Sequence, residues 1–149
     1  MIDLDALSPE DRALAEQLIG QRKASDAVKP AQKYHAVPTE YKNRRYDSKA
    51  EARRAEHLDL LVGVGHVAWW IPQVTIRLGD ISYRVDFVVA VDPMETGAPP
   101  EFVVVHAEDV KGFETPRFKM CKKLWPKYGP FDLHVIRGGE VEIVDGRGK

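Results

Sequence analysis

The sequence predicts an α/β fold: a mixed central sheet flanked by helices, preceded by one N-terminal helix. Three observations predict it. Two stretches rich in β-branched and aromatic residues, 67–78 and 81–91, are separated only by Gly79-Asp80, the mark of a hairpin. A third apolar run, Phe102 to Val105, reads as a strand covered on both faces that ends in Asp109-Val110-Lys111. A helical pattern then leads to a fourth strand, Phe131 to Ile136, and a helix joining two strands implies a parallel pair with a right-handed crossover.

The elements follow in order. Ser8-Pro9-Glu10-Asp11 opens a helix: serine caps, proline fits the first helical position, and acids favour the first turn. Its apolar stripe is Leu7, Leu14 and Leu18, and residues 1–30 are expected to form a helical appendage to a main domain over 31–149. Residues 25–47 contain Pro30 and Pro38 and read as a basic linker with interleaved Tyr34, Tyr41 and Tyr46. Ser48 with Glu51 forms a capping box for a second helix that ends at Gly63. On that helix Glu51, Ala55, Leu58 and Val62 share the face toward the sheet, while Arg53, Arg54 and Glu56 point elsewhere.

In the strand over 81–91, alternation puts Val85, Phe87 and Val89 on one face and Arg84, Asp86 and Val88 on the other. Residues 92–100 read as a loop. Thr115-Pro116 opens a helix through about Tyr128 with Phe118, Cys121, Leu124 and Trp125 inward, and Pro126 threatens its last turn. Gly138-Gly139 turns the chain into a last strand, Glu140 to Val144.

Composition narrows the function classes. The 149 residues suffice for one sizeable core, and no apolar run approaches the roughly 18 residues that span a membrane. The single Cys121 excludes a disulfide framework and a cysteine-rich zinc site. The N-terminus lacks the basic and apolar parts of a secretory signal, so a cytoplasmic location is expected. The net charge of −1 hides segregation: residues 29–54 hold eight bases against three acids, and residues 111–127 hold six against Glu114. Such stretches suit either a polyanion or ordinary solvated helix faces.

The chemistry-bearing residues are Glu51, Asp86, Asp109 and Lys111, from three elements that can meet at one end of the sheet. An acid inside an apolar strand, as Asp86 is in VDFVV, needs a partner or a metal. Alternation points Asp109 and Lys111 the same way, and Glu108 and Val110 the other. Magnesium takes oxygen ligands and keeps several waters, so Asp86, Asp109 and the Val110 carbonyl suffice to hold it, with Glu51 available for a second cation or a bound water. Lys111 either acts on an attacking water or stabilises transition-state charge. Against this stand plainer roles: Glu51 as capping acid only, Asp86 paired with Arg84 or Lys111, and Asp109–Lys111 as an ion pair. Gln73 either lines the site or is an ordinary strand residue. Glu108 is expected to be outward or paired with a lysine on the following helix, His106 packed, and Trp69, Trp70 and Trp125 in the core or a dimer interface. Lys42, Arg44, Arg45, Lys49, Lys119, Lys122 and Lys123 are either phosphate-backbone contacts or solvated surface cations.

The order Asp86, then Asp109-Val110-Lys111, on consecutive strands resembles the PD-(D/E)XK nuclease superfamily, with Val85 where a proline is usual and Glu51 matching an acid of the preceding helix. More closely, KYHAVPTEYKNRRYDSKAEA with VDF and EDVKGFET resembles a phage and prophage family of small endonucleases. The resemblance covers roughly residues 33–136 and leaves 1–30 outside. It implies a restriction-endonuclease-like αβββαβ core. It also implies magnesium-dependent hydrolysis of DNA, with manganese as substitute, and a homodimer. The location would be the host cytoplasm, and a branched-DNA or Holliday-junction resolvase fits the small size. A non-catalytic DNA-binding accessory protein of phage replication, recombination or packaging is the alternative.

Overall fold

The computed structural model describes residues 36–147, so the expected N-terminal helix and Tyr34 lie outside the described residues. A hairpin of β1 (Thr39–Tyr41) and β2 (Arg44–Tyr46) precedes helix α1 (Lys49–Gly63). Then come β3 (Val67–Leu78), β4 (Ile81–Val91), the single turn α2 (Pro93–Thr96) and β5 (Val104–Val110). Helix α3 (Pro116–Tyr128), β6 (Asp132–Arg137) and β7 (Glu140–Val144) complete the order. Strands β3 to β7 form one five-stranded sheet in sequence order. It is mixed: β5 and β6 run parallel across α3, and the other neighbours are antiparallel. Among the described residues no helix is long and apolar enough to cross a membrane.

The helices start where their caps dictate. Ser48 Oγ accepts from Glu51 N–H, and the Glu51 carboxylate accepts in return from Ser48 Oγ at 2.9 Å and from Asp47 N–H at 3.2 Å. Thr115 Oγ1 caps α3 by accepting from Phe118 N–H. Pro126 is tolerated inside α3, which runs on to Tyr128. Gly79 makes the β3–β4 turn with φ +64°, close against the Tyr128 ring.

Two cores cover the two faces of the sheet. Beneath α3, Phe118, Cys121 and Trp125 pack on Ile76, Leu78, Tyr83, Val85, Val88, Ala107, Leu133 and Val135. Beneath α1, Ala52, Ala55 and Leu58 pack on Val67, Phe87, Val89 and Tyr46.

Several expectations are corrected. The basic linker contains the β1–β2 hairpin, because Lys42 and Asn43 both take positive φ and close a two-residue turn. The loop over 92–100 contains α2, capped by Asp92 with proline at its first position. Phe102 and Val103 precede β5 and are 62% and 45% exposed, so the apolar run is not covered on both faces. Val62 is exposed, and Leu61 packs against the core under α1 instead. Val85 does not share a face with Phe87: Val85 lies in the core under α3 and Phe87 in the core under α1. The alternation changes phase at Asp86, and the β3–β4 register omits Gln73, which has φ +54° and would stand opposite it.

The α1 face also carries a buried ionic cluster. The Arg54 guanidinium binds Glu108 with two hydrogen bonds of 2.6 and 2.7 Å, and His106 Nε2 meets the same carboxylate at 3.0 Å. Neither Arg54 pointing away from the sheet nor Glu108 pointing outward survives: both turn into this cluster. His106 is packed, as expected, and stacks on His134 at 3.9 Å. Burial alone would raise the Glu108 pKa, but the Arg54 and His106 bonds override it and hold the group at about 2. Burial, then the neighbouring His106, lowers His134 to about 4.

Both groups have folded pKa values below their ordinary 4.5 and 6.5, so each contributes stability above its ordinary value that is lost as pH falls. Urea unfolding should therefore show stability declining first between pH 6.5 and about 4, from His134, and then between 4.5 and about 2, from Glu108. His134→Phe should remove the first decline. Arg54→Ala strands a buried carboxylate and should cost about 3–5 kcal/mol at pH 7. A loss under 1 kcal/mol would show that the pair is unimportant.

Candidate active site

One step beyond the last β4–β5 pair, Phe87 with Glu108, Asp86 stands opposite Asp109. The Asp86 carboxyl feels the Asp109 charge. Asp109 is fully buried. Its Oδ2 accepts from the Tyr83 hydroxyl, and the Lys111 ammonium lies against its Oδ1, an atom that lacks a geometrically proper hydrogen bond. Charge contact rather than a directed hydrogen bond therefore describes the lysine's hold on that oxygen. Asp86 Oδ2 accepts from Val110 N–H at 2.7 Å and lies 4.0 Å from Lys111 Nζ. Arg84 bonds Asp47 at 2.9 Å instead of Asp86.

The local chain explains this arrangement. Ala107 packs under α3, and Asp109 and Lys111 follow it on that face at the strand period of two. Lys111 lies 5.2 Å from the centre of the Phe118 ring of α3. Val110 packs under α1. Asp86 escapes strict alternation through the phase change, and left-handed Gln73 beside it is backbone strain of the kind that collects at functional sites.

The electrostatics follow. Burial, then the Asp109 charge, raises the Asp86 pKa well above the usual carboxylate range, against the opposing pull of Lys111. Burial alone would lower Lys111, but Asp109 and Asp86 together raise it, so it is a cation at neutral pH. Burial, then the Asp86 charge, raises Glu51, although Ser48 and Asp47 bind its carboxylate. Glu51 thus serves as the capping acid and also feels Asp86.

Among the described residues, no group of three or more histidine, cysteine or acidic side chains is set to hold a metal ion. The Asp86–Asp109 pair nonetheless fits a hard cation in kind. Two carboxyls converge on one positive charge, which Lys111 supplies here, and magnesium needs only one or two carboxylates from a protein. Val110 meets this pair through its N–H.

The basic candidates divide. Lys42, Arg44, Arg45 and Lys49 are exposed on the hairpin and at the start of α1, and Lys119 and Lys123 are exposed on α3. Lys122 is instead committed to Glu114 and Glu142, in a network completed by Arg137. Trp125 is buried, Trp70 is half-buried and Trp69 is exposed. Sequence reading missed Tyr83. Its only signal was that a buried tyrosine hydroxyl needs a partner.

No family model matches the chain, and no curated protein or solved structure matches it.

A raised carboxyl pKa means that the folded state holds the proton more tightly, so a charged Asp86 destabilises the fold increasingly as pH rises. Asp86→Asn keeps an acceptor for Val110 N–H and should raise metal-free stability at pH 8 by about 1–2 kcal/mol. Chemical denaturation checks this. Stability lowered by the substitution would show that the two acids do not repel.

Proposed function

We propose that the chain is a magnesium-dependent DNA endonuclease of the PD-(D/E)XK superfamily, with a restriction-endonuclease-like αβββαβ core over residues 31–149. The observation that carries this reading is the meeting of Asp86 and Asp109, from adjacent antiparallel strands, on the single ammonium of Lys111. Asp86 and Asp109, with the Val110 carbonyl, would hold the cation, and Glu51 would take a second cation or a bound water. Magnesium would neutralise charge that develops on the scissile phosphate.

The chain's own groups have distinct tasks. Tyr83 fixes the Asp109 carboxyl by donating its hydroxyl proton. With a divalent cation on the carboxylates, Lys111 would hold the attacking water or the charged phosphate oxygens. Water attacks phosphorus and the bond to the 3′ oxygen breaks. The products carry a 5′-phosphate and a 3′-hydroxyl, as the family resemblance implies. Arg44, Arg45 and Lys49 would hold the backbone of the DNA on the hairpin side, and Lys119 and Lys123 on the α3 side. A homodimer would present two such sites and cut both strands of a branched substrate.

One observation favours the second reading, a DNA-binding accessory protein without catalysis. Asp109 is fully buried and already engaged by Tyr83 and Lys111.

Purified protein with magnesium should cleave flapped, four-way or duplex DNA, stop in chelator and resume in manganese. Lys111→Ala should lower the rate by roughly 10²–10⁴-fold. Undiminished cleavage by that variant would remove the site assignment. DNA binding with no cleavage in either metal would favour the accessory reading. Gel filtration checks the dimer.

A further inference from the structure

The β1–β2 hairpin, α1 and β3 enclose a pocket of about 230 Å³ that the proposed chemistry leaves unused. Asp59 of α1 is its polar centre. Asp59 Oδ2 accepts from the Tyr41 hydroxyl at 2.9 Å and from Lys42 Nζ at 2.6 Å, and Oδ1 accepts from Trp70 Nε1 at 3.1 Å. The bond from Lys42 holds the Asp59 carboxyl below its ordinary range, so it is an ionised acceptor at neutral pH. Tyr41 and Trp70 are half-buried, and the Lys42 ammonium lies 5.5 Å from the centre of the Tyr41 ring. Tyr46, packed on Phe87, makes the back wall, and Arg44 lies at the rim.

These groups form a set that one nucleotide would satisfy. Aromatic faces stack on bases whatever their identity. A carboxylate accepts from an exocyclic amino group such as that of cytosine. Arg44 and Lys42 suit a phosphate. The Lys42 side chain is 69% exposed on a flexible stem, so it can leave Asp59 for a phosphate at little cost.

The pocket and the candidate active site share two chain segments. Pro72 on its wall directly precedes Gln73, the left-handed residue that would stand opposite Asp86. Tyr46 stands two residues before Ser48, the cap of the helix that carries Glu51.

We propose that this pocket takes one unpaired nucleobase of the DNA, stacked against Tyr41 and Trp70 with its amino group on Asp59 and its phosphate on Lys42 and Arg44. The proposal rests on the reading of the chain as a DNA endonuclease and names its substrate class: DNA with an unpaired nucleotide. It also accounts for a hairpin tied to α1 and β3 through one carboxylate, since a stacking platform must keep its shape.

The test is binding of the full chain in calcium to flapped DNA carrying 2-aminopurine at each unpaired position in turn. Saturating protein should quench the fluorescence at one position near the branch. Tyr41→Ala should abolish that quench and weaken binding to flapped DNA roughly tenfold, with fully paired duplex bound as before. Tyr41→Phe should restore both. Fluorescence unchanged at every position overturns the proposal, as does Tyr41→Ala binding flapped DNA as tightly as the wild type, or failure to bind any DNA at low salt. A site-specific quench in a protein that never cleaves in magnesium would count against the nuclease reading and leave the pocket standing.

Discussion

A fully buried Asp109 is the constraint on which this molecule turns. An unpaired carboxylate in that position would be costly, so the surrounding structure is arranged to compensate it. Lys111 brings charge along the same strand face, and Tyr83 brings a proton from β4. The compensation is incomplete, because Asp86 adds a second acid to a space with one cation. Stability alone gives no reason to place two carboxyls face to face. The proposed cation site would.

The rest of the sheet isolates that site. The Arg54–Glu108–His106 cluster satisfies the charges of β5 on the opposite face, so that Glu108 does not compete for Lys111. The phase change at Asp86 lets β4 serve both cores, with Val85 under α3 and Phe87 under α1. The same irregularity aims Asp86 toward Val110 N–H and leaves it within electrostatic reach of Asp109. Helix α1 contributes through its cap: the Ser48–Glu51 exchange fixes where the helix begins and sets Glu51 within electrostatic reach of Asp86.

Much of this was legible in the residues. The bounds of β3 and β4 followed from Gly79-Asp80, and the starts of α1 and α3 from Ser48 and Thr115 with Pro116. The shared face of Asp109 and Lys111 followed from strand periodicity alone. Other features were hidden for physical reasons. Lys42 and Asn43 gave only a weak turn signal, because two non-glycine residues at positive φ are uncommon. Strict alternation misassigned Val85, since nothing in VDFVV announces a phase change. The Arg54–Glu108 pair joins residues 54 apart, and helical periodicity assigned Arg54 to solvent. Tyr83 reaches Asp109 only because β4 and β5 are neighbours.

The proposed function requires that the Asp86–Asp109 pair receive a divalent cation that displaces Lys111. Crystals soaked in manganese, with anomalous diffraction recorded near the manganese edge, test it directly. The account predicts one anomalous peak between the two carboxylates, with the Lys111 ammonium moved away from Asp109. Lys111 still lying against Asp109 at saturating manganese, with no peak at that position, would contradict it.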